Sequence, residues 1–292
     1  AKLANSDGVT PLMLTAAESH LAVAQFLVAQ GALVNQPSNN GTTPLILAAQ
    51  NDHPEMVQFL LERGAAVDQA DSDGATPLWS AAQNGHLETV QCLVGQGALV
   101  NQPRNNGTTP LLIAAHKGHL ETAQYLVRHG ALVNQANSAG HTPLRMALQE
   151  GRLGIAQYLV EQGAAVDQVD SDGATPLMFA AKNGHLEMTQ CLVEHQADVN
   201  QVDSAGTTPL YLAAQEGRLN VTQYLVAHGA AVDQADSDGA TPLHVAAQNG
   251  HLEVAQCLVA HGAKVDLAMS NGWTPLMFAA QNGHQAVAQC LV

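Results

Sequence analysis

The chain has 292 residues; 46% are hydrophobic, but only 3% are aromatic and only 12% are charged, about half the charged share of an ordinary globular protein. Twenty-five acids against ten Lys and Arg leave a net charge of −15, and so acidic a surface repels phosphate backbones and argues against general nucleic-acid binding. No apolar run approaches the ~18–20 residues that a membrane-spanning helix needs. Four cysteines make no disulfide framework. The opening Ala1-Lys2-Leu3-Ala4-Asn5 is polar and lacks a starting Met, and no signal-peptide pattern is visible in it. The interior must be built from Ala, Leu and Val, and the chain reads as a segment of a longer polypeptide.

The tripeptide Thr-Pro-Leu begins at Thr10, Thr43, Thr76, Thr109, Thr142, Thr175, Thr208, Thr241 and Thr274, always 33 residues apart. Cut five residues before each Thr, the chain divides into repeats 5–37, 38–70, 71–103, 104–136, 137–169, 170–202, 203–235 and 236–268 and a partial 269–292, read as a single domain, 1–292. The repeat 236–268 shows the local grammar. Asp236-Ser237-Asp238-Gly239 is turn chemistry. Thr241 caps a helix whose first position is Pro242, where the missing N–H costs nothing. Leu243, Ala246 and Ala247 give that helix one apolar face, and Gly250 stops it. His251 opens a second helix with Leu252, Ala255, Leu258 and Val259 on its apolar face, ended by Gly262. Helices this short are marginal alone, so neighbouring repeats must stack to bury their faces.

The recurring Asp, Gly, Thr-Pro-Leu, Ala-Ala, Gly-His, Leu and Gly-Ala in this spacing resemble the ankyrin repeat, over essentially the whole chain. The resemblance implies an all-α solenoid of helix–turn–helix units with loop or β-hairpin fingers, stacked as a right-handed superhelix. It also implies that the concave face, made by fingers and first helices, binds another protein. Ankyrin repeats often carry His after Thr-Pro-Leu to tie repeats together; here only His244 fits, the others being Met13, Ile46, Trp79, Leu112, Arg145, Met178, Tyr211 and Met277. The stack is therefore expected to lean on apolar contact. Ser19 and Asp52 stand where later repeats have the helix-stopping Gly, and Gln196 replaces another; a left-handed non-Gly residue costs about 1 kcal/mol. Repeat pairs 137–202 and 203–268 echo each other with a period of 66, as duplication would leave them. Neither end shows a polar capping repeat, a second reason to expect a segment of a longer array.

Chemistry is sparse. Seven of the 14 His follow the first-helix stop (His20, His53, His86, His119, His185, His251, His284), but Arg152 and Arg218 replace them in two repeats. A position that exchanges His for Arg is no metal ligand, and a bond to the inter-helix turn is the reading. His129, His195, His228 and His261 end second helices, where a cation suits the dipole. Stacked helices lie ~8–10 Å apart, too far for one zinc to bridge such a column. Cys92, Cys191, Cys257 and Cys290 share one second-helix position and read as reduced core thiols, which suits an intracellular compartment. No nucleotide loop, nucleophile elbow or zinc-protease motif occurs. No cofactor, metal or catalytic group is expected, and the chain is read as no enzyme.

Specificity should come from what differs between repeats. Before each cap Thr stand Val9, Thr42, Ala75, Thr108, His141, Ala174, Thr207, Ala240 and Trp273, of which Trp273 is the natural interface anchor. Repeat 104–136 carries Arg104, Lys117 and Arg128 against Glu121, a net +2, whereas every other full repeat is negative. This suggests contact with an acidic partner, with Arg104, Lys117 and Arg145 on the concave side and Arg128 and Arg152 away from it. The candidate protein-binding residues are Trp273, His141, Arg104, His116, Lys117, Arg145, Trp79 and Lys182. Gln and Asn fill much of the remaining face, among them Gln50, Gln83, Gln248, Asn84 and Asn249. Leu192, Asp198 and Asn200 resemble the sequence taken by an asparaginyl hydroxylase of ankyrin repeats, which makes Asn200 a candidate modification site. The leading expectation is a monomeric cytoplasmic scaffold for a protein partner, with no nucleic acid and no membrane insertion. The alternatives are a regulatory or targeting segment of a larger enzyme, channel or secreted effector, the last if flanking signals exist, and a structural spacer or designed array with no specific partner.

Overall fold

The computed structural model describes residues 4–292; residues 1–3, the start of the expected 1–292 domain, lie outside the described residues. Among the described residues there are eighteen α-helices and no strand, two helices for each 33-residue period. The first helices are α1 (Pro11–Ala17), α3 (Pro44–Gln50), α5 (Pro77–Asn84), α7 (Pro110–Lys117), α9 (Pro143–Gln149), α11 (Pro176–Asn183), α13 (Pro209–Gln215), α15 (Pro242–Asn249) and α17 (Pro275–Gln281). The second helices are α2 (Leu21–Ala29), α4 (Pro54–Glu62), α6 (Leu87–Gly95), α8 (Leu120–Arg128), α10 (Leu153–Glu161), α12 (Leu186–Glu194), α14 (Leu219–Ala227), α16 (Leu252–Ala260) and α18 (Gln285–Cys290).

Eight of the nine described first helices begin on the same device; at α15 the expected cap Thr241 instead places its hydroxyl 2.9 Å from His244 Nδ1. The cap Thr is extended, and at Thr10, Thr43, Thr76, Thr109, Thr142, Thr175, Thr208 and Thr274 its hydroxyl accepts the amide N–H three residues on. One of the helix's orphan donors is thereby satisfied. The stops also follow the sequence. Ser19 (φ 56°), Asp52 (φ 58°) and Gln196 (φ 69°) adopt the left-handed conformation that Gly supplies elsewhere.

Two compact units are distinguished, Ala1–Leu159 and Val160–Val292. In the first, α1 packs on α3, α3 on α5, α5 on α7 and α7 on α9, while α4 packs on α6 and α6 on α8. In the second, α11 packs on α13, α13 on α15 and α15 on α17, while α12 packs on α14, α14 on α16 and α16 on α18. The first unit is filled by Leu12, Leu45, Leu78, Leu111 and Leu144 from first helices and Leu60, Leu93 and Leu126 from second helices. Leu177, Leu210, Leu243, Leu192, Leu225 and Leu258 do the same in the second. Ala pairs such as Ala48-Ala49, Ala81-Ala82 and Ala246-Ala247 are wholly buried where first helices meet, which is why so few aromatics suffice.

The fingers are loops; the hairpin strands that the resemblance allowed do not form among the described residues. Within one finger, Asp71 takes the amides of Asp73 and Ala75 on its carboxylate at 2.9 and 2.8 Å. Its own amide donates to the Ala75 carbonyl at 3.0 Å. Successive fingers are joined by one backbone bond: Asn39 to Asp7, Ser72 to Asn40, Asn105 to Asp73 and Ser138 to Asn106 in the first unit, Ser204 to Asp172, Ser237 to Ala205 and Ser270 to Asp238 in the second.

Candidate protein-interaction surface

The recurring polar residues hold repeat to repeat. The imidazole Nε2 of His86 lies 3.0 Å from the Gln50 carbonyl at the end of the preceding first helix, and the Asn84 amide donates to that same oxygen at 3.2 Å. His251 and Asn249 do this to Gln215, and His284 and Asn282 to Gln248, every bond at 3.0 Å. His53 reaches Ala17, His119 reaches Gln83, and the Arg218 Nε donates to Lys182. The expected bond to an inter-helix turn is made to the previous repeat, where the ring satisfies a carbonyl at the end of the first helix. Arg substitutes for His because its Nε–H donates the same bond. The Asn two residues before this His, counted from the sequence as part of the polar concave face, is its partner in the clamp at His86, His251 and His284.

A second clamp lies at the finger base. Asn35 donates to the Gly64 carbonyl at 2.9 Å and accepts the Ala66 amide at 2.8 Å. Asn101 does the same with Gly130 and Leu132, at 2.9 and 2.8 Å. Asn200, the candidate modification site, pairs with Gly229 at 3.1 Å and Ala231 at 2.8 Å. An enzyme acting on this side chain must first break both bonds. Asp68, Asp167 and Asp233 keep only the accepting half, taking the amides of Leu99, Asp198 and Lys264 at 3.0 Å.

The position after Thr-Pro-Leu points to the next repeat's finger. Tyr211 donates its hydroxyl to Asp236 at 2.9 Å, and burial followed by that carboxylate pushes the phenol pKa well up. Trp79 is 4% exposed and lies under the Arg104 guanidinium, 4.4 Å from the ring centroid. His244 is buried; Thr241 donates its amide to Nδ1 at 3.1 Å, so Nε2 carries the proton and donates to the Trp273 carbonyl at 3.3 Å. Desolvation lowers the His244 pKa below its ordinary 6.5, against smaller raising contributions from the Trp273 and Leu267 carbonyls and Asp236. The unfolded chain therefore binds more protons below pH 6.5. The neutral ring's contribution is complete above the unfolded pKa and is lost as pH falls through the depressed folded value. His244→Met, the residue that three other repeats use here, should flatten the fall in melting temperature between pH 7.5 and 5.5; the unfolding curves of the two proteins measure it, and an unchanged slope would contradict this assignment.

Second-helix ends are self-capped. His129, His195, His228 and His261 each place Nδ1 2.8 Å from the carbonyl four residues back. Cys257 is buried, but Cys92, Cys191 and Cys290 are only half-buried, which corrects the expectation of core thiols for three of the four. Burial, followed for Cys92 and Cys191 by nearby Glu charge, raises the thiol pKa of Cys92, Cys191 and Cys257. Among the described residues no group of three or more His, Cys, Asp or Glu could hold a metal ion. The surface hollows are open, such as one of about 390 Å³ bordered by Asp7, Val9, Asn39 and Leu47. No described helix is long and apolar enough to cross a membrane.

The candidate binding residues fall into two groups. In the first unit, Arg104 is half-buried, pairs with Asp73 at 2.9 Å and covers Trp79. Trp79 itself, expected on the face, is inside the stack. His116 is half-buried with Nδ1 3.7 Å from a Glu150 carboxylate oxygen, and Lys117 next to it is exposed. Arg145 donates to the Gln149 side chain at 2.8 Å, and the His141 amide donates to Asn137 at 3.0 Å. In the second unit Lys182 is exposed, and Trp273 is half-buried against Phe278, ring centroids 4.9 Å apart.

Paired short helices, looped fingers and neighbour-to-neighbour clamps define a stacked helical-repeat protein. The profile described as "Ankyrin repeats (3 copies)" matches residues 1–71, 78–170, 162–236 and 229–292, and "Ankyrin repeats (many copies)" matches 55–94. The chain belongs to the ankyrin repeat family, whose members are generally protein-interaction modules and typically non-catalytic. No curated protein matches it.

Proposed function

We propose that this chain is a non-catalytic scaffold that binds a partner protein on the side formed by its fingers and first helices. One observation carries the reading. Recurring His, Arg and Asn residues bond to the preceding repeat at His53, His86, His119, Arg218, His251 and His284, so recognition is left to the residues that vary: Lys117, His116, Arg145 and His141 in the first unit, Lys182 and Trp273 in the second. Free thiols support a monomer working inside the cell, where cysteines stay reduced. The test is photo-crosslinking to a purified partner from position 117 on α7, with position 128 at the end of the second helix α8 as the comparison. Adducts from 117 are the expected result; adducts from 128 alone would overturn the reading.

A further inference from the structure

Repeat 104–136 is the one full repeat with a net positive charge, and the structure adds an independent feature at the same place. Among the described residues five side-chain atoms are buried without a hydrogen-bond partner, and three of them belong to this repeat or to the residue under its finger: Trp79 Nε1, Arg104 Nε and His116 Nδ1. The indole and guanidinium nitrogens can only donate. An unmatched buried donor is costly, and Trp79 is more than nine-tenths buried. Lys117, exposed at the end of α7, carries a further charge. Asp73 is bonded to Arg104, and a Glu150 carboxylate oxygen lies near His116. The Arg104–Asp73 pair is solvent-exposed at its Asp end, and exposed ion pairs are weak enough to exchange with an incoming carboxylate.

We infer that the strip formed by Arg104, His116, Lys117 and Arg145 is a receptor for an acidic, extended segment of the partner protein. This rests on the reading of the chain as an interaction scaffold and specifies the partner's chemistry. Carboxylates meet Lys117 and the Arg104 guanidinium. On a chain of net charge −15 this is the place where an acidic segment is attracted rather than repelled.

The test is fluorescence anisotropy of the full chain with a labelled peptide of alternating Glu, Leu and Gly. The same peptide with Gln for Glu and a single-stranded DNA oligonucleotide serve as competitors. The acidic peptide should bind, more weakly as salt rises, and Lys117→Glu should weaken it about tenfold. Arg145→Glu should weaken it further, and Lys264→Glu should leave it unchanged. Lys117 is exposed, so its replacement leaves the fold intact, as circular dichroism would show. No binding, equal binding of the Gln peptide, indifference to Lys117→Glu or preference for the oligonucleotide would each overturn the inference. If it fails while a partner still crosslinks from other fingers or first helices, the scaffold reading stands; if no protein crosslinks from that side, both fall.

Discussion

Gly107→Ala should lower the stability of the protein by about 2–4 kcal/mol, the sum of left-handed backbone strain and overpacking. Gly130→Ala, in the same repeat, should cost only about 1 kcal/mol. Both glycines have positive φ, 81° and 91°. They differ in what a Cβ would meet. At Gly107 it would lie 2.8 Å from the Ser138 nitrogen and 2.9 Å from the Asn137 Cα, both backbone atoms of the next finger; at Gly130 nothing lies within 4 Å. The Gly107 methyl would also press on the bond from the Ser138 amide to the Asn106 carbonyl, 3.0 Å long. Urea unfolding of the two variants separates strain from collision. Equal losses would mean that the fingers do not touch as described.

Met56→Ala should cost about 2–5 kcal/mol as a buried large-to-small change, whereas Val23→Ala should cost less than about 1 kcal/mol as a substitution on an open face. The two positions are one period apart on second helices. Met56 is wholly buried and Val23 is 49% exposed. The same contrast separates Phe59, 7% exposed, from Phe26, 62% exposed. This face is covered by the preceding repeat, and Val23 has no described repeat before it. Chemical unfolding measures both variants; a large loss at Val23 would show that its face is covered after all.

The helices were legible because their signals are local. Thr as cap, Pro at the first position and Gly at the stop act within a few residues, and even the departures at Ser19, Asp52 and Gln196 took the left-handed conformation expected of them. The clamps were not legible, because their partners lie 29 to 36 residues away. A trace was nevertheless present. Asn84, Asn249 and Asn282 each stand two residues before a clamp His, a spacing that surface filler has no reason to keep.

The site was half legible. Charge counting located the basic repeat, and Lys117 is exposed as that reading needs. Trp79 was misplaced because a large aromatic on the expected binding side suggests an anchor, whereas its helix position turns it under Arg104 of the next finger. Tyr211 and His244 occupy the same column and also reach forward to the next finger, so the three polar-tipped rings that share this one position were the available signal. The unmatched donors of Trp79, Arg104 and His116 depend on packing across two repeats and leave no mark in either alone.

The proposed receiving side is that of the fingers and first helices, not of the second helices. Mass spectrometry of photo-crosslinked complexes, with the crosslinker placed in turn at Lys117 and at Arg128, addresses it directly. Partner adducts are expected from position 117, suppressed by an excess of the acidic peptide, and none from position 128. Adducts from position 128 with none from 117 would contradict it.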